Sequence, residues 1–229
     1  MNLIQHLDEL RFVILRCICA VIVLSIPCGI YWQKIFNYIA IVPLRLTDPM
    51  PKIIYTAPTE GIMMVFRIAV TGGFILASPF IFQQVWSFVA PALYKKEKTL
   101  ILSAVFASTI CFGAGIAYCY FLLPLFLQFL NSFAAGEIEA YFKVNEYFGF
   151  LIRTCIIFGL TFELPVIAIM LRKMKIIDHK FLLKYFRHAI VLIFIVAAIL
   201  TPPDVLSQLF LALPLLLLYV ISVTIVYYL

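Results

Sequence analysis

Six long apolar runs divide this 229-residue chain and restrict what it can fold into. Hydrophobic residues make up 65% of the sequence and charged residues 12%, whereas a soluble domain is about 25% charged. A membrane-spanning helix needs about 20 apolar residues to cross hydrocarbon that is about 30 Å thick. The runs cover residues 12–32, 62–88, 99–123, 147–171, 188–201 and 205–229. They predict an all-α integral membrane protein, with one membrane domain over residues 1–229 and six transmembrane helices in a bundle.

Lysine and arginine residues are gathered in three clusters, which predict the orientation. Eleven of the seventeen lie at Arg11 and Arg16, within 95–98 and across 172–187. Basic residues are enriched in cytoplasmic loops, so both termini are expected in the cytoplasm. We therefore expect a multi-pass membrane protein that crosses the bilayer an even number of times.

The fifth run is short. At 1.5 Å per residue, its 14 residues would span about 21 Å. We expect this helix, either alone or together with its successor, to be short and the bilayer to be thinner beside it. The alternative is that the helix continues on the inner side through Lys184 and Arg187.

One acidic residue, Glu163, lies inside the fourth run. An ionisable residue at membrane depth costs about 2.5–3.5 kcal/mol on insertion scales, which makes it a candidate functional residue. Arg153 is ten residues away, about 15 Å along a helix, so the two are not expected to pair. Pro165 is expected to bend the helix. The alternative role for Glu163 is structural, as a polar residue bonded to a neighbouring helix.

Two carboxylates are predicted on separate cytoplasmic elements. Leucine and isoleucine recur at helical spacing over residues 3–14, which predicts an amphipathic helix at the inner interface before the first crossing, with Glu9 exposed. Glu97 lies among three lysines in the loop after the second run. Together the two acids could bind a ligand with two positive charges. Alternatively, Glu9 is a solvated residue near a helix end and Glu97 is neutralised by its neighbours.

The remaining polar residues do not suggest an enzyme. The six cysteines lie in apolar runs, and the three histidines are scattered, so neither metal binding nor a cofactor is expected. There is no nucleophile with an accompanying base, so we predict no catalytic residues. A secondary transporter or channel would also tolerate an intramembrane carboxylate. The sequence has neither an internal inverted repeat nor a selectivity motif to favour that alternative.

Four motifs resemble one known family. Residues 6–11 read HLDELR, residues 162–165 read FELP, and residues 201–208 read TPPDVLSQ. Residues 84–97 contain Gln-Val-Trp, then Phe88, Pro-Ala-Leu-Tyr and Glu97. These motifs, in this order, resemble those of the TatC family, the receptor subunit of the twin-arginine protein translocase.

The resemblance implies a glove-shaped bundle that binds signal peptides carrying consecutive arginines on folded cargo proteins. Such receptors self-associate and recruit one or two types of single-span subunit, TatA-like alone or with TatB-like, for export driven by the proton-motive force. The resemblance also implies a multi-pass protein of the cell's inner (cytoplasmic) membrane, or of a thylakoid or mitochondrial membrane if the chain is organellar. The residues that the resemblance assigns to signal binding are Glu9, Glu97, Arg11 and Phe88. It places Glu163 in a wet groove that receives partner helices, and Asp204 at a position of partner contact. We also hypothesise that Arg11 or the lysines around Glu97 partly neutralise the two acids when no signal is bound.

Overall fold

The computed structural model describes residues 3–48, 50–89, 98–132, 141–174, 176–200 and 205–228. Among these residues, α-helix is the dominant structure. The helices are α1 (Leu3–Ile30), α2 (Trp32–Phe36), α3 (Val42–Arg45), α4 (Glu60–Val89), α5 (Lys98–Asn131), α6 (Val144–Phe162), α7 (Leu164–Lys173), α8 (His179–Lys184), α9 (Phe186–Leu200) and α10 (Val205–Tyr228). One π-helical turn covers Asn37–Ile41, and two short strands, β1 (Lys52–Ile54) and β2 (Tyr141–Lys143), lie outside the helices.

The predicted membrane helices are present. Five stretches of the described chain are long and apolar enough to cross a membrane, and a sixth apolar helix, Phe186–Ile199, is shorter. The five long stretches are Asp8–Ile30, Glu60–Val89, Ile101–Phe129, Val144–Lys173 and Leu211–Tyr228. The expected all-α membrane fold is therefore confirmed, with the fourth stretch made of two consecutive helices, α6 and α7.

Three helices differ from the expected boundaries. The N-terminal segment is not a separate interfacial helix, because α1 continues without a break from Leu3 to Ile30. Its amphipathic and apolar parts have the same helical period, so the helix passes from one part into the other without ending. Helix α5 passes through Pro124 and ends at Asn131, since proline is tolerated inside membrane helices. Helix α9 has 15 residues and spans about 22 Å. It includes Arg187, whereas Lys184 belongs to the separate helix α8.

The first compact unit contains Met1–Thr109 and Glu139–Phe148. Its main contact is between α1 and α4, where a Cβ on Gly73 would meet Ser25 Oγ and come within 2.8 Å of the Val21 carbonyl oxygen. The small glycine therefore lets the two backbones approach closely, as is common between membrane helices.

Strands β1 and β2 of this unit pair in parallel, with Lys52 opposite Tyr141. The Tyr147 hydroxyl also donates to the Ala40 carbonyl oxygen over 2.9 Å. These contacts join the segment after α1 to β2 and to the first turn of α6.

The second compact unit contains Ile110–Ile138 and Gly149–Leu229. In it, α10 packs against α7, α8 and α9. The Gln208 amide donates to the Phe194 carbonyl oxygen over 2.9 Å, which ties α10 to α9. The Tyr219 hydroxyl donates to the Leu182 carbonyl oxygen over 3.0 Å, which ties α10 to α8.

We expect Gly73→Ala to destabilise the protein. The added methyl group would collide with α1, and overpacking of this kind costs about 1–3 kcal/mol. The measurement is the apparent Tm of the purified protein in detergent. Gly113→Ala is the matched control, because nothing lies within 4 Å of a Cβ at that position in α5. An equal Tm for the two variants would contradict close packing at Gly73.

Candidate functional site

The pairing of α1 with α4 places Glu9 and the end of α4 at the same level. Ser25 faces Gly73, and Gly29 faces Ala69 one helical turn further on, so the two helices are antiparallel. Glu9 lies sixteen residues before Ser25, and the last residue of α4 lies sixteen residues after Gly73. Each interval corresponds to about 24 Å of helix. An exposed carboxylate thus lies beside the final turn of α4.

The final turn of α4 carries another of the predicted signal-binding residues. Phe88 is half-buried there, next to the last helical residue. Arg11 is exposed on α1, but residues two apart on a helix do not share a face. Arg11 is therefore badly placed to neutralise Glu9 within its own helix. Glu97 and its neighbours Lys95 and Lys96 lie outside the described residues, so their assigned roles stay predictions.

A buried hydrogen bond holds the end of α4 against α5. The Trp86 indole Nε1 donates to Ser108 Oγ over 3.0 Å, and both side chains are buried. An indole N–H needs a partner when it is buried, and the hydroxyl of Ser108 on α5 supplies one. This bond fixes the helix turn that precedes Phe88.

Glu163 lies at the break between α6 and α7. Its backbone N–H donates to the Leu160 carbonyl oxygen over 3.2 Å, a tighter pattern than that of an α-helix. Pro165, in the first turn of α7, has no N–H to continue the ladder. The helix is interrupted at Glu163, two residues before the proline at which a bend was expected.

The Glu163 side chain faces helix α5 and is only 4% exposed. Gly159, one turn earlier on the same face, approaches α5 so closely that a Cβ there would lie 2.6 Å from the Phe112 ring. The Cys111 thiol of α5 lies within electrostatic range of the carboxylate. Tyr118 of α5 packs against Phe162, with ring centroids 5.6 Å apart. Glu163 is thus enclosed by the α5–α6 contact.

The position of Glu163 in a wet groove that receives partner helices, which the family resemblance implied, stays a prediction. The glycine contact brings α5 next to the carboxylate, and the aromatic rings cover the adjacent turn. The Arg153 Nε donates back to the Gly149 carbonyl oxygen over 3.1 Å. Asp204 lies outside the described residues, and its assignment to partner contact stays a prediction.

Sequence reasoning missed two polar contacts of the membrane helices. Besides the Trp86–Ser108 bond, the Arg67 guanidinium donates to the Asn145 carbonyl oxygen over 3.2 Å at the start of α6. In the sequence, each of these contacts is indicated only by a polar residue within an apolar run. That pattern does not identify the residue's partner. Within the described residues, no group of three or more His, Cys, Asp and Glu side chains could hold a metal ion.

Apolar helices, a buried carboxylate at a helix break and an exposed carboxylate beside the final turn of α4 together define a multi-pass protein of the inner membrane. Comparison of the sequence with known families identifies one family. The family model for "Sec-independent protein translocase protein (TatC)" matches residues 5–214. The chain belongs to the TatC family.

Relatives and solved structures agree with this assignment. The chain is 38% identical over 225 residues to the TatC protein of Helicobacter pylori strain J99, covering 98% of this chain and 88% of the relative. It is 39% identical to the TatC protein of Carboxydothermus hydrogenoformans, covering 97% and 91%. The crystal structure of the twin-arginine translocase receptor TatC in DDM superposes with a TM-score of 0.89 at 33% identity, covering 96% of this chain and 99% of that one. A second crystal structure of this receptor gives a TM-score of 0.84 at 32% identity, covering 96% of each chain.

We expect Ser108→Ala to destabilise the protein more than its small volume change would suggest. The variant leaves the buried Trp86 N–H without its acceptor, which costs about 1–3 kcal/mol. The measurement is a double-mutant cycle on apparent Tm with Trp86→Phe and the double variant. The loss from Ser108→Ala should largely disappear in the Trp86→Phe background. Additive losses would show that the hydrogen bond contributes nothing.

Proposed function

We propose that this chain is the receptor core of a twin-arginine translocase. It binds signal peptides with consecutive arginines at the cytoplasmic face, where folded cargo proteins present them. It then recruits single-span TatA-like subunits, and TatB-like subunits where these exist, for export driven by the proton-motive force. It also associates with further copies of itself in the receptor complex.

The observation that carries this proposal is the position of Glu9. An exposed carboxylate stands level with the end of α4, where Phe88 is half-buried and where the chain enters the segment that contains Glu97. The solved relatives are titled as twin-arginine translocase receptors, which supports the same function here. Signal recognition by Glu9, Glu97, Phe88 and Arg11 is our proposal for this chain.

The chemistry of the site explains a preference for arginine. A guanidinium is a planar fork that meets a carboxylate through two parallel hydrogen bonds, whereas lysine presents a point charge. Two carboxylates on two separate elements would each receive one arginine of the pair. Phe88 would add an apolar surface for the hydrophobic part of the signal peptide.

Glu163 would act in a later step than signal recognition. It belongs to the second compact unit and lies at a helix break inside a membrane-spanning stretch. A carboxylate there can receive a polar group of a partner helix that enters the membrane beside it. Asp204 would contribute to partner contact from the outer side of the membrane.

We expect Glu9→Gln to weaken binding of a twin-arginine peptide about tenfold or more. The estimate follows from about 1.5–3 kcal/mol for each hydrogen bond to a charged group. The measurement is fluorescence anisotropy with a labelled signal peptide and its twin-lysine version on the purified receptor. Glu9→Gln should reduce the preference for arginine over lysine, and Glu97→Ala should do the same and stop export of a folded reporter.

Asp8→Asn is the matched control for Glu9→Gln. It removes the same charge from the neighbouring exposed residue of α1, which faces another direction. An equal loss of affinity in both variants would contradict a specific contact between Glu9 and an arginine of the signal peptide. It would show that Glu9 contributes only a general electrostatic attraction.

We expect Glu163→Gln to retain signal binding and to lose export. Glutamine keeps the shape of the side chain and removes the charge that a partner helix would sense. The two measurements are peptide affinity in detergent and export of a folded reporter in cells. Glu146→Gln, the same change at an exposed site in the first turn of α6, should leave both unchanged. Full export by Glu163→Gln would favour the structural role for this residue.

A further inference from the structure

The segment between α7 and α9 combines positive charge with exposed apolar side chains. We refer to residues 172–188, which include α8, as the α8 platform. Its sequence contains six lysine and arginine residues and a single acidic residue, Asp178. That acid forms an ion pair with Arg172. The other cations of the platform therefore have no carboxylate within the segment to neutralise them.

The α8 platform is held in place by α10. The Tyr219 hydroxyl donates to the Leu182 carbonyl oxygen over 3.0 Å. The Tyr219 ring also packs against Phe186, with ring centroids 5.9 Å apart. Ile177 is buried just before α8 begins. The exposed side chains of the platform thus project from a backbone that is anchored to a membrane helix.

Apolar and cationic side chains alternate on the exposed surface of the platform. Ile176, Phe181, Leu183 and Tyr185 are 59%, 49%, 55% and 41% exposed. Exposed lysines lie between them, and Lys184 Nζ lies 5.9 Å from the centre of the Tyr185 ring. The Phe181 and Tyr185 rings contact each other at 4.6 Å between centroids. Aromatic and basic residues mixed in this way are typical of a surface at the level of lipid headgroups.

We propose that the α8 platform binds anionic phospholipids of the inner leaflet. The lysines would contact the phosphate and the anionic headgroup, and the exposed apolar side chains would lie against the start of the acyl chains. The platform connects two membrane helices, α7 and α9, so its apolar side chains continue an apolar surface that is already in lipid. A free phosphate would use the lysines alone, and an acidic soluble protein would leave the apolar side chains exposed to water.

This lipid site goes beyond the proposed signal receptor. It shares no residue with the signal-binding set of Glu9, Arg11, Phe88 and Glu97, and it belongs to the second compact unit. Its occupancy can be measured on the purified chain without signal peptide or partner subunits. A failure of one proposal therefore leaves the other intact.

The test is titration of the full-length protein in detergent with phosphatidylglycerol and with phosphatidylcholine of the same acyl chains, read out by native mass spectrometry. Each basic residue near an anionic surface contributes about fivefold in affinity. The double variant Lys180→Gln, Lys184→Gln should therefore bind phosphatidylglycerol roughly 25-fold more weakly, with phosphatidylcholine binding unchanged. Lys184→Arg should retain binding, because it keeps the charge.

Lys34→Gln is the matched control. Lys34 is also exposed and also lies over a tyrosine ring, 5.8 Å from the centre of Tyr31, but it belongs to the predicted outer side. Phe181→Ser should weaken binding of both lipids, and glycerol 3-phosphate should not compete with phosphatidylglycerol. Unchanged phosphatidylglycerol affinity in the double lysine variant would overturn the proposal, and so would an equal loss in Lys34→Gln. Competition by glycerol 3-phosphate at the affinity of the lipid would overturn it as well, by defining a plain phosphate site.

Discussion

The close approach of α1 and α4 at Gly73 determines which residues meet at the cytoplasmic end of the first compact unit. Glycine at this position lets the α4 backbone lie against Ser25 and Val21. Because the two backbones are this close, a shift of α1 along α4 by one helical turn would place a larger side chain in the space of Gly73. The register of α1 against α4 is therefore fixed at Gly73, far from the end that carries Glu9. The level of Glu9 relative to the end of α4 follows from that register. The proposed signal-binding surface at the membrane boundary therefore depends on packing about 24 Å away.

The second compact unit also contains a close helix contact at glycine, and there the contact buries a carboxylate. Gly115 and Gly159 bring α5 and α6 together: a Cβ on Gly115 would lie 2.7 Å from the Phe158 carbonyl oxygen. One turn later the helix breaks at Glu163, ahead of Pro165. Tight packing immediately before the break encloses the Glu163 carboxylate and restricts the orientation of its side chain. The carboxylate loses hydration as a result, and fewer groups can approach it. The helices around Glu163 therefore restrict the direction from which another group can approach its carboxylate.

Length and polarity of the apolar runs were sufficient to predict the number, the order and the approximate ends of the membrane helices, because the bilayer permits few alternatives. The motifs identified the family, and the cost of a carboxylate inside an apolar run identified Glu163 as a candidate functional residue. The continuity of α1 was not predictable, since its amphipathic start and its apolar remainder have one helical period. The passage of α5 through Pro124 and the partner of Trp86 depend on neighbouring helices, and no local pattern in the sequence encodes them. The burial of Glu163 was not predictable for the same reason, because it depends on glycine contacts between distant segments.

The parallel pairing of β1 with β2 has a consequence for how the chain assembles. Lys52 pairs with Tyr141, and the whole of α4 and α5 lies between them in sequence. The two strands reach the same side of the membrane only after the chain has crossed inward and returned. Their hydrogen bonds therefore form after this helical hairpin is inserted and close a loop of nearly ninety residues. The small sheet can therefore form only in a chain whose α4 and α5 have been inserted in the correct orientation.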